Sequence, residues 1–339
     1  MYRLPKTSLD TFFATLADIA KLYLPIDKKG QAYYTEWTEG SQLSDKLNTV
    51  RSAKDYFFPQ TQNLMDFRVN GKNIEVIDNC CECEDFILFG VRACDAASFD
   101  ILDRVFLAEP VDSYYKTRRE HGVVMTLACN APEETCFCSA FGVDATAPGG
   151  DVSCWMDGEY LYLEPQTEKG SSLVSKLSSV VSECDCADVE KITADTKKIL
   201  EKLPLATLHS TDLTDKQLET FKSDKWASLS EACLGCGSCT FVCPTCQCYD
   251  IKDFDTGCGV KRMRTWDSCM YSDFTKMAHG NPRLTQVERF RQRFMHKLVY
   301  FPQNNDGVYG CVGCGRCLRQ CPISMNIVKV MKTLGGDEK

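Results

Sequence analysis

Cys233-Leu-Gly-Cys236-Gly-Ser-Cys239-Thr-Phe-Val-Cys243-Pro244 and Cys311-Val-Gly-Cys314-Gly-Arg-Cys317-Leu-Arg-Gln-Cys321-Pro322 carry one cysteine pattern twice. Three cysteines at every third position of a glycine-rich loop can each reach a different metal atom of one small cluster. A fourth, set just before a proline, reaches across to the other cluster, the spacing by which two-cluster ferredoxins hold [4Fe–4S] cubes. The pattern therefore assigns Cys233, Cys236, Cys239 and Cys321 to one cube, and Cys311, Cys314, Cys317 and Cys243 to a second. A zinc site closes on four ligands from CxxC pairs and needs no third step. Disulfides need an oxidising compartment.

Composition agrees with metal-bound thiols. The chain has 339 residues, room for two or three domains, and 44% of them are hydrophobic, ordinary for a buried core. No apolar run approaches the ~18 residues that begin to suggest a membrane span, and no apolar segment follows Met1-Tyr-Arg-Leu-Pro-Lys6 as a secretory signal would. With no export signal, 22 cysteines point to metal-bound or reduced thiols in a cytoplasm low in oxygen. A formal net charge of −8 argues against nucleic acid as a partner, and 4 histidines leave little room for a histidine-rich metal site.

Upstream, residues 8–22 place Leu9, Phe12, Leu16 and Ile19 on one helical face, with Ser8 as N-cap and Pro25 as the stop. Tyr33, Tyr34 and Trp37 suggest a strand. Asp85-Phe-Ile-Leu-Phe-Gly-Val91 is a short apolar run of buried-strand type, followed by a helix with Phe99, Leu102, Val105 and Phe106 on one side. Gly122-Val-Val-Met-Thr-Leu-Ala128 is a second such run. In open α/β sheets, ligands collect beyond the carboxyl ends of the strands. Cys94 and Cys129 fall at such ends, and Cys136 and Cys138 lie in the adjoining loop. Four thiolates gathered there can hold a third [4Fe–4S] cube; a zinc ion or plain buried thiols are the alternatives.

Cys80, Cys81 and Cys83 sit among acidic residues that raise thiol pKa values, so they are read as non-ligands. Cys154, Cys184 and Cys186 read as packing or surface thiols, and Cys246, Cys248, Cys258 and Cys269 receive no role. Asp157-Gly158, between two strand-like runs, predicts a hairpin with a type I′ turn. Residues 171–225 read as polar helices.

Between the cysteine motifs lie 67 residues, with ten Lys/Arg against six Asp/Glu over 250–300. Thr285 and Glu288 predict a capping box opening a helix whose apolar face is Val287, Phe290, Phe294 and Leu298. Arg289, Arg291, Arg293 and Lys297 occupy the rest, either as a solvated face or as a docking or potential-tuning surface. No G-x-G-x-x-G, G-x-x-x-x-G-K-[ST] or H-E-x-x-H pattern is present, so no nicotinamide site and no substrate chemistry of the chain's own is expected.

Gly90-Val-Arg-Ala-Cys-Asp95, Ala128-Cys129, Cys136-Phe-Cys138, Arg264-Thr-Trp-Asp-Ser-Cys-Met270 and Cys311-Val-Gly-Cys-Gly-Arg-Cys317 resemble the iron–sulfur β subunit of cytosolic [NiFe] sulfhydrogenases. They equally resemble its relative, an iron–sulfur subunit of anaerobic sulfite reductase; the likeness runs from about residue 10 to 330. The tail Cys321-Pro-Ile-Ser-Met-Asn-Ile327 is closer to the hydrogenase-linked branch, and related subunits also occur in electron-bifurcating complexes. The resemblance implies an electron relay between a flavoprotein subunit of ferredoxin–NADP reductase type and a catalytic or further iron–sulfur subunit, with ferredoxin as another possible partner. It also implies that Cys94, Cys129, Cys136 and Cys138 hold the third cluster.

The fold expected is an α/β domain over residues 1–225, a mixed sheet with helices. An α+β two-cluster ferredoxin-like domain follows over 226–339, with a long helical insertion at 247–308. The expected function is electron transfer inside a soluble oxidoreductase complex. A self-sufficient enzyme, with a substrate beside the third cluster, and a redox sensor are the rival readings.

Overall fold

The structure is a computed structural model that describes residues 1–46, 48–80, 83–209 and 213–335. Its frame is an eight-stranded mixed sheet. In chain order the strands of the protein are β1 (Tyr2–Pro5), β2 (Lys21–Lys28), β3 (Gln31–Glu36), β4 (Thr61–Asn70), β5 (Asn73–Asp78) and β6 (Phe86–Val91). They continue with β7 (Gly122–Leu127), β8 (Val152–Met156), β9 (Tyr160–Pro165), β10 (Ser182–Glu183), β11 (Tyr249–Asp255) and β12 (Gly259–Trp266). The large sheet runs β10-β1-β9-β8-β7-β6-β2-β3, with β2, β6, β7 and β8 parallel at its centre and antiparallel strands outside them.

Strand β6 explains why its run is uninterrupted. All of its side chains are buried, because helices cover both faces of a parallel sheet. Ile87 and Phe89 enter a core with Phe12, Phe13, Leu173 and Val174. Leu88 and Phe86 enter the opposite core with Phe57, Phe99, Leu102 and Tyr115. The period of two thus survives inside a run that looks uniformly apolar.

The first helix covers Leu9–Ile19, and Ser8 stands at its N-cap position without a side-chain cap hydrogen bond. Pro25 does not stop that helix; it lies inside β2, opposite Tyr34. The helix ends earlier, where Ala20 turns extended so that β2 can pair with β6. The hairpin at Asp157 forms between β8 and β9, but Gly158 does not take the positive φ that a type I′ turn needs. Instead the Asp157 carboxylate accepts the N–H groups of Glu159 and Tyr160 at 2.7 Å each. Within 171–225, Ser182–Glu183 pairs with β1 as an edge strand; helices occupy Ala187–Leu200 and Gln217–Lys222.

The insertion after Cys248 departs from a purely helical reading. It begins with the β11–β12 hairpin, which joins β4 and β5 in a four-stranded antiparallel sheet ordered β11-β12-β4-β5. Residues on either side of position 225 therefore share a sheet. The predicted capping box opens the helix Gln286–Met295, whose Phe290 and Phe294 are buried beside Trp226, Leu229 and Val330. That helix passes directly into a π-helical turn, His296–Tyr300.

Candidate metal centres

At the carboxyl end of β6, Gly90 takes φ +77 and the register with β7 shifts beside it, a bulge that re-aims the following residues. A β-carbon there would come 3.1 Å from Pro25 Cδ. Arg92 then donates to the carbonyls of Leu127 (3.2 Å) and Ala128 (3.3 Å), tying the exits of β6 and β7 together. This fixes Cys94, in the first turn of the Ala93–Phe106 helix, near Cys129, just past β7. Both line one cavity with Cys136 and Cys138, so the four cysteines read from the sequence come together. Burial pushes the Cys129 thiol up to about 11 and that of Cys138 up to about 12. Without metal these thiols stay protonated, and binding would release their protons.

The first ferredoxin-type loop meets the tail of the chain. Cys233, Cys236, Cys239 and Cys321 line a cavity with Met270, Phe290 and Arg293. Gln286 donates to Cys233 Sγ at 3.3 Å, and the Met325 N–H donates to Cys321 Sγ at 3.2 Å. In the second loop, Cys311, Cys314 and Cys317 each lie close enough to Cys243 to feel its charge. Both groupings follow the crossed pattern of the sequence.

The second loop is also built into the large sheet's site. Gly313 and Cys314 line the cavity of Cys94 and Cys129. The Phe137 N–H donates to Gly313 O at 2.9 Å. Gly313 has φ +61, and a β-carbon on it would lie 2.3 Å from Phe137 O; the same argument holds for Gly315 against Thr135 O, at 2.4 Å. Beside them Arg316 and Asp95 form a fully buried ion pair, with Nη2 to Oδ2 at 2.7 Å. Arg316 Nε also donates to Thr49 O at 2.8 Å, and Asn48 donates to Cys314 O at 3.0 Å.

Three buried cations test whether these residues fit a metal group. Lys54 donates to Cys243 O (3.0 Å) and Cys246 O (2.9 Å) beneath the Trp266 ring. Arg293 donates to Cys239 O at 3.3 Å and leaves its Nε unpartnered. Lys297 donates to Cys243 Sγ (3.4 Å), Thr245 Oγ1 (2.7 Å) and Gly310 O (2.7 Å). Among the described residues these partners include no carboxylate, in contrast to the Arg316–Asp95 and Arg264–Asp112 pairs. A buried charge needs a counter-charge. Burial lowers Lys54 to about 8; burial opposes charge on Lys297 too, but the Cys243, Cys246 and Cys311 thiolates outweigh it and raise its pKa. Iron–sulfur clusters on cysteine thiolates supply negative charge beside these cations, so the residues fit the group.

One expectation needs correcting here. Arg293 and Lys297 cannot form a docking face, because both are buried against the cysteine loops. Their helix is covered on two sides, and charge composition alone hides this. Arg291 does lie outward, over the Phe221 ring. Lys54, Asn48 and Thr49 were not foreseen, since they lie in a stretch without periodicity; Arg316, inside the motif itself, carried the available signal. Of the remaining cysteines, Cys154 is buried in β8, and Cys186 and Cys258 are exposed. Cys83 is pushed up first by its burial and then by Asp85 and Glu84. Cys81 lies outside the described residues.

Cavities walled by thiols and buried cations suit a group that exchanges electrons without moving. That places the protein among iron–sulfur electron-transfer proteins. Residues 232–325 match the family model of the 4Fe–4S dicluster domain. Sulfhydrogenase 2 subunit beta of Pyrococcus furiosus is 31% identical over 326 residues, covering 94% of this chain and 94% of that protein. No solved structure matches the chain. The chain belongs to the family of iron–sulfur β subunits of sulfhydrogenases.

Proposed function

We propose that the chain is the internal electron relay of a cytoplasmic complex. It takes electrons from an NAD(P)H-linked flavoprotein subunit of ferredoxin–NADP reductase type and passes them to a catalytic subunit of hydrogenase kind. We assign three [4Fe–4S] clusters to it, on Cys94, Cys129, Cys136 and Cys138; on Cys233, Cys236, Cys239 and Cys321; and on Cys311, Cys314, Cys317 and Cys243. An iron–sulfur cube supplies one-electron transfer at a fixed position, while NAD(P)H delivers two electrons as hydride, so the splitting belongs to a flavin elsewhere in the complex.

The observation that carries the reading is contiguity. Cys94 and Cys129 share a cavity with Cys314, and Cys314 neighbours Cys243 and Cys317. Cys317 in turn neighbours Cys239 of the first loop. At the outer end of that row Leu234 is 67% exposed and Cys236 is exposed, so a partner can approach there. An open cleft lined by Asp100, Asp103, Lys116 and Arg119 holds none of the cysteines, which speaks against a substrate bound beside a cluster. Among the described residues no helix is long and apolar enough to cross a membrane.

The purified chain should be reduced by dithionite or a low-potential viologen and not by NADH or NADPH, followed by the bleaching of its visible absorbance. Adding the flavoprotein subunit should restore reduction by one of the two nucleotides. Rapid reduction of the chain alone by either nucleotide would replace the relay with a self-sufficient enzyme.

A further inference from the structure

Three cysteines without a role in the assignments above converge in a place of their own. Cys246 and Cys248 follow the Cys243-Pro244 step, and Cys269 ends the Arg264-Thr-Trp-Asp-Ser-Cys269 stretch beyond the β11–β12 hairpin. The hairpin folds back on itself, and the Asp267 N–H donates to Cys248 O at 3.0 Å, bringing the two segments together. Cys248 and Cys269 come within hydrogen-bond reach of each other, and Cys246 stands within reach of Cys243. All three line one cavity, as the four-cysteine sets of Cys94 and of Cys233 line theirs.

The opposite wall is the long helix. Arg293, His296, Lys297 and Phe301 line the cavity at intervals of three and four residues, hence on one face. His296 and Lys297 lie on the π-helical turn, a feature frequent at functional sites. The His296 ring makes an edge contact with Phe301. Arg293 and Lys297, already shown to lack carboxylate partners, also face this space. Among the described residues, no three cysteine, histidine or acidic side chains close tightly enough to share one ion. Three thiols and an imidazole are donor types that iron–sulfur clusters take.

We propose that Cys246, Cys248 and Cys269, with His296 as the fourth ligand, bind a further iron–sulfur cluster beside the ferredoxin-type pair. Imidazole ligation raises the potential of an iron–sulfur centre relative to all-thiolate ligation. This site therefore holds electrons more tightly than its neighbours and branches from the row at Cys243.

The test is made on the full chain purified without oxygen, with iron and sulfide counted per chain. Cys248→Ser and Cys269→Ser are the informative variants, since neither belongs to the other three sets. Each should lower iron by about four per chain, and combining Cys269→Ser with Cys94→Ser should lower it by about eight. His296→Cys should keep the iron and move one midpoint potential downward. It should also remove the nitrogen hyperfine coupling from the reduced wild-type electron paramagnetic resonance spectrum. Retention of full iron in folded Cys248→Ser and Cys269→Ser variants would overturn the proposal, as would loss of one zinc with iron unchanged. Where those variants do not fold, the absence of nitrogen coupling in the wild type together with unchanged potentials in His296→Cys overturns it. Neither result depends on which partner reduces the chain.

Discussion

The loops Cys233–Cys239 and Cys311–Cys317 share a spacing and differ in their surroundings. In the first, Leu234 is 67% exposed and Cys236 open to solvent; in the second, Cys314 is buried and Arg316 is 0% exposed. Ser238 holds the place in the first loop that Arg316 holds in the second. One short pattern, used twice, thus makes an outer and an inner site. The cysteines set what is bound, while the residues between them set whether the site faces a partner or another part of the same chain.

The largest expected effect lies at that paired position. Arg316→Ala leaves Asp95 buried and unpaired, at a cost of about 3–5 kcal/mol, whereas Ser238→Ala, on the open loop, should stay within about 0.5 kcal/mol. Thermal unfolding of the two variants measures the difference, and similar midpoints would break the distinction between the loops. Next come the glycines. Gly235 and Gly313 both have positive φ, so either alanine variant carries about 1–3 kcal/mol of strain. Gly235 would press on the flexible end of Gln286 at 3.0 Å, but Gly313 on the Phe137 carbonyl at 2.3 Å. Gly313→Ala should therefore cost more, and should lose iron selectively from the Cys94 site in an iron count.

A smaller effect sharpens the same contrast. Lys297→Gln removes a positive charge 3.4 Å from Cys243 Sγ. It should lower the inner site's midpoint by roughly 60 mV for each 1.4 kcal/mol of interaction lost. Arg291→Gln, at the outer side of the helix over Phe221, should leave it unchanged in a spectroscopic redox titration. Thr285→Ala removes the helix cap and should cost about 1 kcal/mol without moving any potential.

The legible parts of this fold were those with local causes. Cysteine spacing, the buried run of β6 and the Thr285 capping box each follow from a few neighbouring residues. The strand-end position of Cys94 and Cys129 followed from β6 and β7 alone. The pairing of β12 with β4 was hidden, because the two are far apart in sequence and the outer part of their sheet exposes Val69, Ile74 and Ile251 on one side. Such strands lack the clean alternation of a half-buried sheet. The burial of Arg293 and Lys297 was hidden for a different reason. Their counter-charge comes from sulfur sites, and no acidic residue nearby signals it.

The contact between Phe137 and Gly313 also bears on how the protein is made. Residue 313 leaves the ribosome 175 residues after Cys138. At about 5–20 residues per second, that is a wait of roughly 10–35 s. During this interval the Cys94, Cys129, Cys136 and Cys138 site lacks the wall that Gly313 and Cys314 later supply. Iron delivered to the nascent chain finds a site without that wall, whereas iron delivered after release meets it in place. The pocket translated first thus waits longest for its last wall.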